Sequence, residues 1–523
     1  MRKLRFVLVV ILAVSVVSGA LARTVTKSGI VLPLTTKPVT LTWMLGDHPT
    51  RGPFDENLFC WKEFEKRTGV HIDFQCVPEA NFNEKWAAVV ASRNLPDMIR
   101  VNADQSKQFG PQGAFLPLEK LIDRNTKVLK KLLTPEIRKG LIAGDGHIYA
   151  IPKLDELRLT TGWLVRGDWL KKLGLKEPAT LDEYYNMLVA FRDKDPDGNG
   201  VKDTIPLTVW GKLTQLVDRF AMCYGTTYEK ETTPWLLLPK EKKAVYTPTS
   251  DQMKETLQFL NKLYKEGLLD KEFASNISTT AGQAKVLTNR AGATLCWMTT
   301  IRDFNMGAKA SGKIPDFHVI GIAPPKGPRG ECGVPQRSAA DPGQCVAFSS
   351  KLSPAAAEVA IKWFDYRYSP EGILLNSYGV EGVTFNYVDG KPRHTETILN
   401  DPKGRAMTDV LSLDYGLLMP NNPYVSIIIP EQYTAEVREA WKKCEGKYVP
   451  VLPSLPYTVD EAKKVGTVMA TIAPKQEEWM VQFISGQKNF TEWDNFKAAM
   501  KQMGIDDVMK CVNDAYLRYL KMK

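Results

Sequence analysis

Two hydrophobic periods alternate along the first part of the chain. Apolar residues occupy every second position over 39–43 and 70–76, which is the period of a β-strand, and a short strand-like run follows at 97–101. Between these strands, apolar residues recur at helical spacing over 54–64, and a second helix is predicted over 81–94. The order strand, helix, strand, helix, strand predicts an α/β domain with a parallel sheet.

The chain becomes polar where the first and third of these strands end. Asp47 and His48 come after the first strand, and Asn102 and Asp104 come after the third. Open α/β sheets bind ligands at the carboxyl ends of their strands. A ligand site is therefore predicted at this edge of the sheet.

A second unit is predicted to begin after 149–152, where the polar stretch 153–158 separates two strand-like segments. A capping box, in which a Ser or Thr precedes a Glu or Gln by three positions, predicts helix starts at 180–183 and at 249–252. The chain is predicted to be mostly helical from Ser353 onward. Further strands are predicted at 162–166, 291–297, 317–322 and 345–348.

The composition excludes a disulfide-built scaffold. A chain of 523 residues has room for two or three hydrophobic cores, and its eight Cys are too sparse for such a scaffold. No C-x-x-C pair suggests a zinc ribbon or a thioredoxin-like centre. Cys332 and Cys345 flank a loop that contains Gly and Pro, and they are the first pair to examine for a disulfide.

The first 22 residues have the pattern of a secretory signal peptide. A basic start is followed by an apolar run over 6–17 and by an A-x-A cleavage site at 20–22. The first Cys is Cys60, so a lipid anchor at the cleavage point is not expected. Removal of the signal lowers the formal net charge from +10 to +7, and the remaining charges are interspersed. We expect an exported protein that does not bind nucleic acid.

The stretch 195–204 has the spacing of a calcium loop. Ca²⁺ takes six to eight oxygen ligands, which a loop supplies from alternate positions around a glycine turn. Asp193 offers a second register, which starts two residues earlier and has Gly198 at the turn. The alternative to a metal site is a turn rich in Asp and Gly. The predicted ligands are Asp195, Asp197, Asn199, the Val201 carbonyl and Asp203.

Motifs of enzymes are mostly missing from the sequence. There is no G-x-S-x-G or H-E-x-x-H, and the five His are scattered. The stretch 307–313 has P-loop spacing, but Ile314 stands where Ser or Thr would bind Mg²⁺. A glycosidase needs only two carboxylates, so a secreted glycoside hydrolase or lyase stays open as an alternative.

The chain is rich in Trp and Tyr, whose rings stack on the apolar faces of sugars. Trp43, Trp163 and Trp297 each lie in or at the end of a predicted strand. They are candidates for a carbohydrate site, with core packing as the alternative for each.

A series of short motifs in order along the chain resembles a known family. The sequence is similar to the extracellular solute-binding proteins of ABC importers, family 1, especially the subset with the LplA-type lipoproteins and the alginate-oligosaccharide-binding proteins. The resemblance covers nearly the whole mature chain. Its motifs include 64–70, 95–97, 113–118, 149–152, 166–170, 174–175, 178–183, 205–207, 378–382, 389–392 and 483–486.

The resemblance implies two α/β lobes of the periplasmic-binding-protein fold (type II-like), three crossing segments and a helical C-terminal extension, with ligand trapped as the lobes close. It also implies a calcium loop whose last ligand, usually Glu, is Thr204 here. The expected crossings are near 153–156, 293–296 and 349–353. The expected lobes are 23–152 with 297–348, and 157–292 with 354–523.

The hypothesis from the sequence is a monomeric periplasmic binding protein that captures an oligosaccharide and delivers it to an ABC permease without chemistry. A peptide- or lipid-binding receptor on the same scaffold is a further alternative. The expected stacking residues are Trp43, Trp163, Trp297 and Tyr378, and the expected hydrogen-bonding residues are Asp47, Asn102, Arg166 and Glu381.

Overall fold

A computed structural model gives the fold of most of the chain beyond the predicted signal peptide, and residues 1–22 lie outside its described part. The described residues are 23–48, 52–154, 161–209, 213–228, 234–275, 279–335, 339–403, 405, 407–418, 420 and 434–522.

The first large sheet has the strand order β4-β3-β5-β14-β6 within the described residues. Strand β3 runs parallel to β4 and β5, as the sequence predicts, whereas β14 lies antiparallel between β5 and β6. Strands β3, β5 and β6 therefore run in the same direction. The strands are β3 (Val39–Gly46), β4 (Val70–Val77), β5 (Met98–Val101), β6 (Ala150–Leu154) and β14 (Ala340–Phe348).

The second large sheet has the order β12-β7-β11-β8 in the described part of the chain. Strand β7 is antiparallel to both β11 and β12, and β8 is parallel to β11. Its strands are β7 (Thr161–Arg166), β8 (Ile205–Val209), β11 (Ala291–Trp297) and β12 (Val319–Ile322).

Short strand pairs complete the described β-structure. They are β1 (Thr24–Val25) with β2 (Val31–Leu32), β9 (Trp235–Leu238) with β10 (Lys243–Tyr246), β13 (Val334–Pro335) with β17 (Tyr448–Val449), and β15 (Phe385–Val388) with β16 (Lys391–His394).

Helices surround each large sheet. Around the first lie α1 (Phe59–Thr68), α2 (Phe82–Ser92), α3 (Ala103–Phe109), α4 (Glu119–Asn125), α5 (Leu129–Leu132), α6 (Pro135–Leu141), α13 (Pro354–Arg367), α14 (Pro370–Ser377), α15 (Glu396–Leu399) and α16 (Met407–Tyr415). Around the second lie α7 (Gly167–Lys172), α8 (Leu181–Asp193), α9 (Leu213–Met222), α10 (Asp251–Lys265), α11 (Thr279–Leu287), α12 (Thr300–Ser311), α17 (Ala435–Lys442), α18 (Val459–Ser485), α19 (Trp493–Gln502) and α20 (Ile505–Lys521).

Each sheet has its own hydrophobic core, and the two cores define two lobes. The core of the first lobe continues from the first sheet through α13 and α14 to Leu417. The cores of the second lobe include residues from α7 to β12 and again from α17 to α20. No helix of the described residues is both long and apolar enough to cross a bilayer.

The structure corrects two of the three predicted crossings. The chain leaves the first sheet after Leu154 and enters the second at Thr161, next to the predicted 153–156. The segment 293–296 is not a crossing, because β11 is an inner strand of the second sheet, and the chain returns to the first sheet only between Ile322 and Ala340. The segment 349–353 is not a crossing either, because α13 packs on the first sheet.

Candidate functional site

The crossing segments connect one edge of the first sheet with one edge of the second. One connection runs from Leu154 to Thr161 and another from Ile322 to Ala340. Ala340 pairs with Leu154 in the first sheet, and Thr161 pairs with Trp297 in the second. The carboxyl ends of β3, β5 and β6 therefore lie on the edge of the first lobe from which the chain crosses to the second.

Asp47 and Asn102 lie at this edge, as the sequence predicts, because each follows one of two paired strands. Both side chains also hold the local backbone. Asp47 Oδ1 accepts a hydrogen bond of 2.7 Å from the Glu79 amide. Asn102 caps α3 through a 2.7 Å hydrogen bond from the Gln105 amide and a reciprocal bond from its own amide to Gln105 Oε1. Their described bonds are therefore structural.

A cavity of about 290 Å³ lies beside the end of β3. Its polar lining comes from His48, Asp55 and Ser412, and its aromatic lining comes from Phe54 and Trp61. Apolar walls with a few polar groups are typical of a small-molecule site, and the volume is at the lower end of the usual range of about 300 to 1,000 Å³.

The cavity is formed where the loop after β3 meets the end of α16. His48 and Gly52 exchange two backbone hydrogen bonds of 2.9 and 3.0 Å, which closes the loop. On the other side, Gly416 has a positive φ of 68°, and a Cβ there would lie 2.9 Å from Leu58 Cβ. Glycine therefore allows the chain after α16 to approach α1 closely.

The aromatic wall is braced from behind. Trp61 packs edge-on against Phe74, with ring centroids 4.5 Å apart, and lies nearly parallel to Trp363 at 6.5 Å. Phe54 contacts Phe74 at 5.9 Å. These contacts fix the orientation of the rings that line the cavity.

Asp55 supplies a carboxylate to the cavity. It follows the loop after β3, and its Oδ1 accepts a 2.8 Å hydrogen bond from the Asn57 amide. Burial raises the pKa of the neighbouring Cys76 thiol, so this thiol stays protonated at neutral pH. With this thiol neutral, the formal negative charge at the cavity comes from the carboxylate of Asp55, which is the acidic residue of the lining.

Three of the predicted stacking residues are core residues instead. Trp43, Trp163 and Tyr378 are at most 1% exposed. Trp43 contacts Trp363 and Phe364 of α13. This burial corrects their assignment as sugar platforms, because both faces of each ring are enclosed by protein.

The neighbours of the other two rings belong to the core as well. Trp163 packs edge-on against Tyr184 at 5.0 Å and Phe220 at 4.9 Å, and Tyr378 stacks on His394 at 4.8 Å. Trp297, by contrast, is only partly buried and ends β11 at the crossing edge. It stays a candidate for contact with a ligand.

The structure also corrects the assignments of Arg166 and Glu381. Arg166 ends β7 at the edge away from the crossing, is buried, and forms a two-pronged ion pair with Asp168. Its guanidinium also lies over the ring of Phe317. Glu381 is exposed in a turn that bridges to Phe385, beside the β15–β16 hairpin. Neither side chain lines the cavity.

The predicted calcium loop gathers its oxygen atoms through hydrogen bonds. Asn199 Nδ2 donates to Asp197 Oδ2 at 2.8 Å and to Asp203 Oδ1 at 2.9 Å. Asp195 accepts from the Gly200 amide at 2.9 Å, and the Val201 amide donates to Asn199 Oδ1. The four polar side chains of the prediction thus lie together, as a calcium loop requires.

One oxygen atom of the loop lacks a partner. Asp197 Oδ1 is buried and accepts no hydrogen bond in the described structure. Burial and the carboxylates of Asp195 and Asp203 raise the pKa of Asp197 to about 6. A cation would relieve this repulsion. Still, no three His, Cys, Asp or Glu side chains among the described residues are arranged as a preformed metal site.

Thr204, at the predicted last ligand position, connects the loop to α8. Its hydroxyl donates a 2.7 Å hydrogen bond to the Phe191 carbonyl in α8, which connects the loop to the preceding helix.

Two α/β lobes with crossing segments and a cavity at the crossing edge define a two-lobe binding protein. The chain belongs to the bacterial extracellular solute-binding protein family, whose model matches residues 50–373.

Two of the similar proteins match over nearly the full length of the chain, and a third matches over about two thirds of it. The fructooligosaccharide ABC transporter substrate-binding protein FusA of Streptococcus pneumoniae is 26% identical over 94% of this chain and 92% of its own. The polygalacturonan/rhamnogalacturonan-binding protein YtcQ of Bacillus subtilis is 28% identical over 68% of each chain. The alginate-binding protein AlgQ2, in a crystal structure without calcium ion, has a TM-score of 0.79 and 27% identity, over 92% of this chain and 99% of its own.

Sequence reasoning missed most of the cavity. Phe54 and Asp55 follow the first strand closely, so an aromatic residue beside a carboxylate in that loop was an available signal. Ser412 lies more than 350 positions further along the chain, and only the fold brings it to His48.

Proposed function

We propose that the chain is the substrate-binding protein of an ABC importer and that it captures an oligosaccharide at the crossing edge of its lobes. The observation that carries the proposal is the cavity beside β3, in which Phe54 and Trp61 meet Asp55, His48 and Ser412. Aromatic faces next to a few fixed polar groups suit a sugar ring, which is apolar on its faces and polar at its rim.

The similar proteins support this ligand class. Their names give fructooligosaccharide for FusA, polygalacturonan and rhamnogalacturonan for YtcQ, and alginate for AlgQ2. All of these are saccharides, although they differ in charge. A glycan therefore fits better than a peptide or a lipid.

Binding needs no chemical step. One sugar ring packs on the partly exposed Phe54, with the buried Trp61 behind it, and Asp55 accepts hydrogen bonds from the sugar hydroxyl groups. Trp297, at the crossing edge of the second lobe, covers the ligand when the lobes close. Closure removes water from these hydrogen bonds, and the ligand leaves unchanged when the lobes open at the permease.

Calcium is part of the proposal as a structural ion. Asp195, Asp197, Asn199 and Asp203 would hold it, and the unpartnered Asp197 Oδ1 is the donor atom that supports this assignment. The ion would order the loop between α8 and β8, and it has no part in ligand chemistry.

We further propose that residues 1–22 direct export and are removed, and that the mature protein works as a monomer with the permease subunits. Mass spectrometry of the native protein should find Arg23 at the N-terminus. A chain that still begins at Met1 would contradict the proposed processing.

The ligand is tested by isothermal titration calorimetry with neutral and acidic oligosaccharides. We expect one saccharide class to bind and to quench tryptophan emission, because Trp61 lines the cavity. Asp55→Asn should weaken binding about tenfold or more, since a hydrogen bond to a charged group contributes about 1.5 to 3 kcal/mol. Asp494→Asn is the matched control, because Asp494 is exposed on α19, outside the cavity.

The same titrations separate the alternatives. Chromatography of the recovered ligand should show it intact, whereas a hydrolase or lyase would release shorter products. Binding of peptides or lipids instead of glycans, or equal affinity of Asp55→Asn and Asp494→Asn, would contradict the proposed site.

A further inference from the structure

Three cysteines lie on segments that pack against one another in the second lobe. Cys223 follows α9, Cys332 lies in the crossing segment between β12 and β14, and Cys444 lies in the turn after α17. Cys345, the sequence-based partner of Cys332, is a residue of β14 in the first sheet, where it pairs with Val101. The two cysteines that the sequence singles out for examination, Cys332 and Cys345, therefore lie in different lobes.

Backbone contacts hold the loop of Cys332 against α9. The Gly327 amide donates a 2.8 Å hydrogen bond to the Glu331 carbonyl, and Arg329 Nη2 donates to the Tyr224 carbonyl at 3.1 Å. A Cβ at Gly327 would lie 1.5 Å from the Cys223 carbonyl oxygen, so the two segments touch backbone to backbone.

The same loop is held against the turn of Cys444. The Val334 amide donates a 2.9 Å hydrogen bond to the Lys447 carbonyl, and the Lys447 amide donates to the Cys444 carbonyl at 3.1 Å. Val334 and Tyr448 are partners in the β13–β17 pair. Cys332 therefore lies two residues before Val334 of β13. Cys444 lies four residues before Tyr448, the partner of Val334 in β17.

The environments of the two buried thiols differ. Cys223 Sγ donates a 3.1 Å hydrogen bond to the Pro325 carbonyl. This bond keeps the Cys223 thiol protonated and disfavours its reaction with another cysteine. Burial raises the pKa of Cys444 to about 11, but the charges of Lys447, Arg219 and Lys443 oppose this rise. The two lysines therefore make the Cys444 thiolate, which is the reactive form, more accessible than burial alone would allow.

We propose that Cys332 and Cys444 form a disulfide under oxidising conditions and thereby join the crossing segment between β12 and β14 covalently to the turn after α17. Cys332 is partly exposed and reacts first with a disulfide oxidant such as oxidised glutathione, which releases one glutathione thiol. The Cys444 thiolate then attacks the mixed disulfide and releases the second. Two thiols lose two protons and two electrons, and the oxidant is reduced to two thiols.

In the cell, this bond rests on the export that we propose, because disulfides persist in oxidising compartments. A glutathione redox buffer tests the thiol chemistry on the purified full chain, independently of its location and ligand. Failure of the disulfide would therefore leave the saccharide-binding proposal untouched.

The experiment is peptide mapping after alkylation, without reduction, of protein equilibrated with oxidised glutathione. We expect one cross-linked peptide pair that contains Cys332 and Cys444, with two of the eight thiols lost. Cys223→Ser should keep the cross-link, and both Cys444→Ser and Cys332→Ser should abolish it. The Tm of the oxidised wild type should exceed that of the reduced form by several degrees, because the bond closes a long loop.

The two cross-link variants should show no such difference in Tm between oxidised and reduced protein. Eight alkylated thiols in the oxidised wild type, or a Cys332 bond to Cys223 or Cys345, would overturn the proposal.

Discussion

The tryptophans show what residue type alone can indicate about a site. Trp43 and Trp297 both end or occupy strands, and their sequence contexts are similar, but the first is enclosed by α13 and the second is partly exposed. The difference comes from α13, which follows Trp43 by more than 300 positions. The local pattern predicts the strand and its period. It does not predict which helix covers the strand, because that depends on tertiary packing.

Polar residues at strand ends were a better guide than aromatic residues. Asp47 and Asn102 lie at the expected edge, because parallel pairing fixes where their strands end. The pattern could not tell that their side chains hold backbone amides. It also could not find Ser412, whose contribution to the cavity depends on the packing of α16.

Removal of one loop carboxylate tests the calcium proposal. In the wild type, millimolar Ca²⁺ should raise the Tm and EDTA should reverse the rise, because an ion that binds only the folded chain stabilises it by about 2.7 kcal/mol at one hundred times its Kd. Asp197→Asn should lose most of this response, since Asp197 Oδ1 is the unpartnered oxygen of the loop. Differential scanning fluorimetry measures both.

The matched control for this loop is Asp193→Asn. Asp193 lies just before the loop, where Arg192 already pairs with it at 2.8 Å. This variant should keep the full response to Ca²⁺. A wild type whose Tm ignores both Ca²⁺ and EDTA would show that the loop is a turn without a metal.

At the scale of elements, two helix starts with the same sequence signature have different caps. Thr180 caps α8, with its hydroxyl accepting from the Glu183 amide and Glu183 bonding back, as predicted. The box predicted at Thr249 and Gln252 is wrong by one residue, because Ser250 accepts from the Met253 amide instead. Adjacent Thr and Ser both fit the pattern, and the backbone turn decides between them.

Alanine substitution at the two threonines measures this difference. Thr180→Ala should lower the free energy of unfolding by about 1 kcal/mol, the usual value for a lost N-cap side chain. Thr249→Ala should change it by much less, since its neighbour provides the cap. Urea unfolding followed by circular dichroism compares the two. Equal losses would contradict the assignment of Ser250.

At the scale of the molecule, the α/β class and the two-lobe fold were predictable, and the positions of the crossings were not. The resemblance correctly implied lobes that are discontinuous in sequence. It assigned β11 to a hinge and α13 to the wrong lobe, because an apolar strand or helix fits either core equally well. Only the pairing of β11 with β7 and β8 determines its sheet.

A buried lysine of the first lobe bonds to the second lobe. Lys107 of α3 is 4% exposed, and its Nζ donates a 2.8 Å hydrogen bond to the carbonyl of Ser454 in the second lobe. Ser454 Oγ in turn bonds Asp104 at the start of α3. Burial lowers the pKa of Lys107 to about 8, against the opposing effects of Asp104 and Cys345. The contact therefore holds a charge that the interior disfavours.

The stability of the molecule should rise with pH because of this lysine. Between about pH 8 and 10.5 the unfolded chain keeps a proton that folded Lys107 has lost, so the free energy of unfolding increases across that window, by up to about 3 kcal/mol. Below about pH 8, Lys107 is charged in both states, and the destabilisation by its buried charge is fully present. Lys107→Met should remove the rise, and Lys107→Arg should also lack it, because a guanidinium stays charged. Urea unfolding from pH 7 to 10.5 measures the difference in free energy of unfolding between each variant and the wild type. A difference that stays constant over this range would contradict the buried charge of Lys107 as the cause.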